Sequence, residues 1–214
     1  GQLEEKAPEV LAMLSEYGRR LYFPKGILSQ SAEAKEKAHR FNATIGIATQ
    51  DGGPMYLPSV HRQLADVETA DAYPYAPVPG RPGLRAHWRD KIVTENPGLA
   101  GKSFGLPVVT AAITHGLALA SELFVDEGDF VLLPDKLWGN YRLNFEVHAG
   151  AEIGTFPFYS EGAFNCEGFD RALAEASEGR DKVIVLLNFP NNPTGYMPTE
   201  VEAESIVASL LARA

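Results

Sequence analysis

Residues 182–195, which read KVIVLLNFPNNPTG, indicate the fold class most clearly. The first half of this run is apolar and rich in valine, isoleucine and leucine, which is typical of a strand buried on both faces of a parallel sheet. In the second half, Pro190 and Pro193 flank Asn191 and Asn192, so the backbone after the strand has few accessible conformations. Ordinary turns also use Asn, Pro and Gly. Because this run is more constrained than a turn requires, we predict a rigid binding loop in which Asn192 presents its side-chain amide.

Strand and helix patterns alternate through the rest of the chain. We predict strands at residues 42–49, 108–113, 129–133, 151–156 and 182–188. We predict helices at residues 3–14, 31–41, 116–124, 141–147 and 169–177, and further helices that begin at Pro82 and near Thr199. This order predicts an α/β fold of three layers, in which helices cover both faces of a mostly parallel sheet.

The composition restricts the possible partners of the protein. Of its 214 residues, 45% are hydrophobic and 22% are charged, and the formal net charge is −9. A surface with this excess of carboxylates repels nucleic acid phosphates and anionic lipid, so we exclude nucleic acid and membranes as general partners. Apolar runs in the sequence are shorter than the ~18–20 residues that cross a bilayer. Cys166 is the single cysteine, so an internal disulfide is impossible and a reducing, cytoplasmic location is predicted.

Three loops follow predicted strands at the edge of the sheet where open α/β proteins bind their ligands. The first, residues 114–117, leads into a helix through Gly116, and backbone amides at a helix start suit a phosphate group. An ordinary glycine turn has the same pattern. The second, residues 134–141, carries Trp138, which either closes the core or stacks on a flat heteroaromatic ring. The third is the asparagine-containing run quoted above.

Three motifs, in their order along the chain, resemble those of the class I and II aminotransferases, which are pyridoxal-phosphate enzymes of fold type I. Residues 75–85, YAPVPGRPGLR, are similar to the family's Tyr-x4-Gly-x-Pro-x-Leu-Arg segment. Residues 138–140, Trp-Gly-Asn, are similar to the Trp-x-Asn of aspartate aminotransferases. NFPNNPTG at residues 188–195 resembles the family signature and is the most specific of the three. The resemblance extends over residues 42–200.

The resemblance implies that the chain binds pyridoxal 5'-phosphate through four residues. Asn192 would donate a hydrogen bond to the phenolic oxygen of the cofactor ring, and Trp138 would stack on the face of that ring. The backbone groups of His115 and Gly116 would hold the phosphate, together with the start of the helix that follows.

Two further positions follow from the same resemblance. Tyr75 would reach across a dimer interface to the phosphate of the neighbouring subunit's cofactor, which implies a homodimer. Gly46 lies where the family places a small residue against the substrate.

The activity that the resemblance implies is transfer of an amino group between an amino acid and a 2-oxo acid. In the family, the lysine that forms the Schiff base follows the Asn-Pro-Thr-Gly loop, and no lysine follows Gly195 in these 214 residues. We therefore assign no catalytic residue here and expect the 214 residues alone to be inactive. Residues 1–45 are predicted to form an arm or part of the small domain. Residues 46–214 are predicted to form the amino-terminal part of the large, cofactor-binding domain.

Other functions stay open at this point. Decarboxylases, carbon–sulfur lyases and acyl-condensing synthases of fold type I would share the same residues. A nicotinamide-dependent oxidoreductase is disfavoured, because the sequence contains no Gly-x-Gly-x-x-Gly. A non-catalytic α/β binding module is a further alternative. The histidines show no metal-ligand spacing, so we predict no metal site.

Overall fold

The computed structural model describes residues 2–21, 27–42, 44 and 46–214. Its α-helices are α1 (Gln2–Lys6), α2 (Pro8–Met13), α3 (Glu16–Arg20), α4 (Ile27–Lys37), α5 (Pro58–Gln63), α6 (Thr69–Ala72), α7 (Pro82–Glu95), α8 (Ala112–Phe124), α9 (Asn140–Arg142), α10 (Cys166–Ser177) and α11 (Glu200–Leu211). Its strands are β1 (Thr49–Gln50), β2 (Gly53–Pro54), β3 (Phe130–Pro134), β4 (Glu152–Phe156), β5 (Tyr159–Ser160), β6 (Ala163–Phe164) and β7 (Val183–Val185). A 3-10 turn spans Pro97–Leu99, and a π-helical segment, Leu143–His148, continues α9.

A parallel sheet of order β4-β3-β7 forms the centre of the fold. Phe130 at the start of β3 is paired with Glu152 of β4 on one side and Val183 of β7 on the other. Two short antiparallel ladders, β1 with β2 and β5 with β6, lie outside this sheet. The predicted α/β class with a mostly parallel sheet is confirmed.

Alternate residues of β3 enter two different apolar clusters, and this places helices on both faces of the sheet. Leu132 packs with Phe169 and Leu173 of α10, in a cluster that also includes Ile206 of α11. On the opposite face, Val131 and Leu133 pack with residues of α8, of α9 and of its π-helical continuation. Each fully buried aliphatic side chain contributes about 1.5–3 kcal/mol relative to an exposed one. The chain therefore forms the predicted three layers.

Most predicted elements of this sheet and its helices are present, with shifted ends. The strands predicted at 129–133, 151–156 and 182–188 correspond to β3, β4 and β7, and the helices predicted at 116–124, 141–147 and 169–177 correspond to α8, to α9 with its π-helical continuation, and to α10. The predicted capping box of α11 is present, since the Thr199 hydroxyl accepts from the Glu202 amide and the Glu202 carboxylate accepts from the Thr199 amide.

The strand predicted at residues 108–113 is wrong. Helix α8 already begins at Ala112, and the residues before it form no strand in the described chain. The Val109 amide donates to the Pro79 carbonyl (3.0 Å). Valine and isoleucine favour strands only where a pleated, paired surface is available. Here Val109 instead contacts the turn at Gly80.

The amino-terminal predictions were also too simple. The helix predicted at 3–14 is divided into α1 and α2 at Pro8, which has no amide hydrogen to continue a helix. The strand predicted at 42–49 is wrong for its described residues, where only Thr49 enters a ladder. Residues 43 and 45 of that prediction lie outside the described residues.

The chain divides into two compact units, Gly1–Tyr22 with Ala112–Ala214, and Phe23–Ala111. The predicted boundary between residues 45 and 46 concerns the domains of a whole enzyme and stays a prediction.

Among the described helices, none combines the length and apolar character that crossing a lipid bilayer requires.

Within the unit Phe23–Ala111, the YAPVPGRPGLR motif forms a fixed turn followed by α7. Gly80 has φ +99°, and a Cβ at this position would lie 2.3 Å from Val109 Cγ2, so only glycine fits without strain. Pro82 occupies the first turn of α7, as predicted. The Arg85 guanidinium donates to the carbonyls of Pro107 (2.6 Å) and Leu106 (3.2 Å).

Candidate functional site

Three chain segments meet at the carboxyl edge of the parallel sheet. Strand β3 continues into residues 134–140, here called the tryptophan loop, and β7 leads into residues 188–195, here called the asparagine loop. The Leu186 amide donates to the Leu132 carbonyl (3.1 Å), so the pairing continues beyond β7 towards the asparagine loop. The third segment is the first turn of α8. This is the edge at which open α/β sheets bind ligands.

The asparagine loop is held by its own hydrogen bonds. The Asn192 amide donates to Asn188 Oδ1 (2.9 Å), and the Gly195 amide donates to the Asn191 carbonyl (2.6 Å). Both the amide and the hydroxyl of Thr194 donate to Asn191 Oδ1, at 3.2 and 2.7 Å. The peptide bonds Phe189–Pro190 and Asn192–Pro193 are cis. The hydrogen bonds within the loop therefore hold its backbone from Asn188 to Gly195.

The Asn192 side chain is available to a ligand. The residue is exposed, and within the described part of the chain its side-chain amide makes no hydrogen bond. An exposed amide on a fixed backbone can donate to or accept from a bound molecule with little ordering entropy.

Trp138 lies at the border between the core and solvent. The residue is half-buried, and its ring packs edge-to-face against Tyr141, with centroids 5.7 Å apart and an interplanar angle of 90°. It also contacts the apolar cluster around Leu133. Burial raises the pKa of Tyr141, so its phenol stays neutral. The indole is thus fixed by the core and still retains exposed surface, as a stacking platform requires.

The first turn of α8 contacts the tryptophan loop, but not in the way the sequence predicted. Asn140 Nδ2 donates to Thr114 Oγ1 (3.4 Å). Because α8 begins at Ala112, the predicted strand-to-helix turn at 114–117 is wrong, and His115 and Gly116 lie inside the helix. Ala112 has φ +68°, the left-handed region that glycine adopts more easily. Gly116 therefore does not form the turn that precedes α8. That turn lies at Ala112.

Asn191 is a site residue that sequence reasoning missed. Its side chain is 4% exposed, and its Nδ2 donates to the Lys136 carbonyl of the tryptophan loop (3.2 Å). The sequence did contain a signal, since Asn191 is the first of the two asparagines between two prolines. Only Asn192, which precedes the second proline, was assigned a role.

Asp135 fixes the base of the tryptophan loop to the chain that follows β4. Its Oδ1 accepts from the Phe158 amide (2.8 Å), and its Oδ2 pairs with Lys136 Nζ (2.7 Å). Partial burial raises the pKa of Asp135, but the Lys136 and Phe158 hydrogen bonds outweigh burial and leave this pKa below its ordinary value. The carboxylate is therefore charged near neutral pH.

The chain directly after the asparagine loop, at Tyr196 and Thr199, is held by Glu202 of α11. Its carboxylate accepts from the Thr199 amide (2.7 Å), the Tyr196 hydroxyl (2.7 Å) and the Phe164 amide (2.9 Å). Hydrogen bonds from the Thr199 amide and the Tyr196 hydroxyl lower the pKa of Glu202 to about 2. The hydrogen bond between Tyr196 and Glu202 in turn raises the pKa of the Tyr196 phenol. This network connects the loop to α11 and to β6.

The remaining predicted positions, Tyr75 and Gly46, belong to the other compact unit. Tyr75 is fully exposed, at 104% of its reference area. Gly46 is also exposed, and no heavy atom lies within 4 Å of a Cβ built there. Their roles stay predictions.

The residues at the sheet edge match the chemistry of a planar aromatic phosphate. An indole face suits a flat ring, a free side-chain amide suits a ring oxygen, and a helix start suits an anion. Among the described residues, no group of three or more His, Cys, Asp or Glu could hold a metal ion. The indole face, the side-chain amide and the helix start fit an organic cofactor with a phosphate group.

Comparisons with known proteins give the same class. The sequence profile of the family named "Aminotransferase class I and II" matches residues 41–213. A probable aspartate/prephenate aminotransferase of Aquifex aeolicus is 34% identical over 190 residues, which are 86% of this chain and 45% of that protein. The cytoplasmic aspartate aminotransferase of Caenorhabditis elegans is 28% identical over 183 residues, which are 81% of this chain and 44% of that protein.

The crystal structure of an aminotransferase from Anaerococcus prevotii is similar in fold, with a TM-score of 0.76 and 28% identity, and the match covers 94% of this chain and 51% of that one. The structural neighbours of this chain are aminotransferases of fold type I, and this chain has the same α/β architecture with a central parallel sheet. The chain belongs to the class I and II aminotransferase family, whose members depend on pyridoxal 5'-phosphate. It spans about half the length of the relatives that it matches.

Proposed function

We propose that this chain is part of a pyridoxal-phosphate-dependent aminotransferase, which transfers an amino group between an amino acid and a 2-oxo acid. The observation that carries the proposal is the convergence of three segments through two side-chain amides. Asn140 connects the tryptophan loop to α8, and Asn191 connects it to the asparagine loop. The profile match over residues 41–213 gives independent support.

Each segment has a role toward the cofactor in this proposal. Trp138 supports the ring from one face, and the Asn192 amide donates to the phenolic oxygen and so favours its ionised form. The first turn of α8, which begins at Ala112, holds the phosphate at the positive end of the helix dipole, while His115 and Gly116 lie further inside the helix. When bound, the cofactor supplies an electron-withdrawing ring that accepts the electron pair of a broken substrate bond.

The proposal includes a homodimer and a cytoplasmic location. Full exposure of Tyr75 is compatible with its predicted reach to the cofactor phosphate of a second subunit. Gly46 is proposed to face the substrate, where the lack of a side chain leaves space. Relatives named as cytoplasmic aspartate aminotransferases and the single cysteine support the location.

The alternatives within fold type I are decarboxylation, carbon–sulfur cleavage and acyl condensation, and the alternative outside catalysis is a binding module. The three fold type I reactions would use the same cofactor-facing residues. A binding module would use none of their chemistry. Transamination is favoured because the named relatives are aminotransferases, among them enzymes described for aspartate, LL-diaminopimelate and histidinol phosphate.

The test is a half-reaction with the complete gene product that carries these residues. After loading with pyridoxal 5'-phosphate, it is mixed with single amino acids, and the released 2-oxo acid is quantified. We expect one equivalent of 2-oxo acid per cofactor. Release of carbon dioxide or sulfide instead would identify an alternative reaction, and no product would contradict the proposal.

The matched control is the 214-residue chain alone. It contains no lysine after Gly195, so we expect no turnover. We also expect borohydride reduction to leave no cofactor attached to a specific lysine. Steady turnover by this polypeptide would contradict the assignment of the missing lysine.

A further inference from the structure

We propose that Asn191 is a positioning residue, which fixes the asparagine loop against the tryptophan loop and thereby holds the Asn192 amide at the phenolic oxygen of the cofactor. This inference rests on the proposed function. It concerns a residue that does not itself touch the cofactor.

Asn191 has the environment of a structural connector. It is 4% exposed, and its polar groups are engaged in the loop and beyond it. Its backbone amide donates to the Tyr196 carbonyl (2.8 Å), and its carbonyl accepts from the Gly195 amide (2.6 Å). Its Oδ1 accepts from the amide and hydroxyl of Thr194, while its Nδ2 donates to the Lys136 carbonyl. The Asn191 side chain therefore closes the turn around Asn192 and also donates a hydrogen bond to the neighbouring tryptophan loop.

The bond from Asn191 to Lys136 determines the spacing between the two loops. Among the described residues, it is the one hydrogen bond that joins the asparagine loop to the tryptophan loop. Asn192 is exposed and its side chain has no bond of its own in the described chain, so its position depends on the backbone that Asn191 holds. Trp138 lies two residues after Lys136, on the other side of the same connection.

Two substitutions separate the two functions of this side chain. Asn191→Ala removes all of its side-chain hydrogen bonds. Asn191→Asp keeps an acceptor for Thr194 but places a second oxygen against the Lys136 carbonyl, where a donor stood. If the inter-loop bond matters, both variants displace Asn192 relative to Trp138, and the aspartate variant does so with the turn itself preserved.

Asn165 provides a matched control in the same chain. Its Nδ2 donates to the Pro157 carbonyl (3.1 Å), and its Oδ1 accepts from the Gly168 amide (2.9 Å). Like Asn191, it donates one side-chain hydrogen bond and accepts from residue i+3, although from the amide alone and not also from a hydroxyl. In the described chain Asn165 makes no hydrogen bond to the three site segments. Asn165→Ala therefore has a similar cost in stability and no effect on Asn192.

The probe is pyridoxine 5'-phosphate, which has the phenol and the phosphate of the cofactor but no aldehyde. Two properties are measured in a Trp88→Phe background, where Trp138 is the remaining one of two tryptophans. Quenching of Trp138 fluorescence reports binding. The absorbance of the bound ligand against pH reports ionisation of its phenol, which a hydrogen bond from Asn192 shifts to lower pH.

In the parent chain, which carries only Trp88→Phe, we expect pyridoxine 5'-phosphate to quench Trp138 fluorescence. We also expect its bound phenol to ionise at lower pH than in the free ligand. Asn192→Ala should return the phenol midpoint towards the free value. Asn191→Ala and Asn191→Asp should do the same and weaken binding by about tenfold, the loss of one net hydrogen bond. Asn165→Ala should leave the phenol midpoint unchanged. In the Asn192→Ala background, Asn191→Ala should add no further change in this midpoint, because Asn191 acts through Asn192.

Two results would overturn the inference, and they are distinguishable. If Asn192→Ala moves the phenol midpoint and neither Asn191 variant does, Asn191 is only structural and the proposed function stands. If the parent chain shows neither quenching of Trp138 nor a shifted phenol, the inference and the proposed cofactor site both fail. Urea unfolding of each variant identifies any that does not fold, and Asn191→Asp, which keeps the acceptor for Thr194, then carries the test.

Discussion

Two asparagine side chains connect the chain segments at the sheet edge. Asn140 reaches Thr114 of α8, and Asn191 reaches Lys136 of the tryptophan loop. A typical hydrogen bond contributes only about 0.5–1.5 kcal/mol net, but a buried partner left unpaired costs about 1–3 kcal/mol. The apolar core therefore stabilises the sheet, while these short amides select the geometry of the site.

At residue scale, Glu202 should make stability depend on acid pH. Its folded-state pKa of about 2 lies below the ordinary value of 4.5. The stabilisation is thus complete above pH 4.5 and is lost as the pH falls towards 2. We expect Glu202→Gln to lower the free energy of urea unfolding at pH 6 and to reduce its decline on acidification.

Glu204→Gln, at an exposed position of the same helix, is the control and should leave the decline unchanged. Equal pH profiles for the parent chain and Glu202→Gln would show that the network around Tyr196 contributes no charge-dependent stability.

Ala112 gives a second prediction at this scale. A non-glycine residue at φ +68° is strained by roughly 1–2 kcal/mol, and part of this is offset by the larger backbone entropy that glycine loses on folding. We expect Ala112→Gly to raise the free energy of urea unfolding by up to about 1 kcal/mol. Ala118→Gly, inside the same helix, should lower it by about 1 kcal/mol. Destabilisation of the same size by both substitutions would show that the turn at Ala112 carries no strain.

At the scale of elements, the turn before α7 depends on Gly80. In Gly80→Ala, the new methyl group would overlap Val109, and the residue would have to keep φ +99°. We expect the free energy of unfolding of the unit Phe23–Ala111 to fall by at least about 2 kcal/mol, because backbone strain and steric overlap add. Gly83→Ala is the matched control, because nothing lies within 4 Å of its built Cβ and it occupies the first turn of α7.

Proteolysis of this unit in increasing urea measures the effect separately from the rest of the chain. We expect earlier cleavage for Gly80→Ala and unchanged or later cleavage for Gly83→Ala. Identical cleavage for the two variants would contradict the packing of Gly80 against Val109.

The elements that sequence reasoning predicted best are those whose apolar pattern agrees with their burial. Strands β3 and β7 read as continuous apolar runs and lie in the parallel sheet. Residues 108–111 carry similar strand-forming types, but they are not part of a strand in the described chain. Whether such a run is paired depends on distant residues, and local preference contains no information on this.

The placement of two candidate site residues was predictable for the same reason, while their roles toward a cofactor stay predictions. Asn192 and Trp138 follow directly from motifs at strand ends. The connecting roles of Asn191 and Asn140 depend on which loops become neighbours, and Ala112 gives no local sign that it adopts a glycine-like conformation. The glycine at 116 was consequently mistaken for the turn.

At the scale of the whole molecule, exposed apolar side chains predict association. On α11, Val207 and Leu211 lie one turn apart and are 53% and 71% exposed. Tyr75 and Val78 are 104% and 98% exposed in the other unit. Neighbouring exposed apolar side chains, such as Val207 and Leu211 on one helix, are typical of an interface. We expect sedimentation of the 214-residue chain to show concentration-dependent association.

Replacing both Val207 and Leu211 with glutamine should reduce this association. Met13→Gln, which removes a side chain that is 81% exposed on α2 and not on α11, is the control and should not. A monodisperse monomer at all concentrations would contradict the prediction.

The central claim is that Trp138 and Asn192 face the same cofactor ring. It is tested most directly by the fluorescence of Trp138 in the Trp88→Phe chain during titration with pyridoxal 5'-phosphate. We predict saturable quenching that is weakened about tenfold by Asn192→Ala, the loss of one hydrogen bond. We also predict no saturable quenching in Trp138→Phe, which retains Trp88. Unquenched Trp138, or quenching that Asn192→Ala leaves unchanged, would contradict the claim.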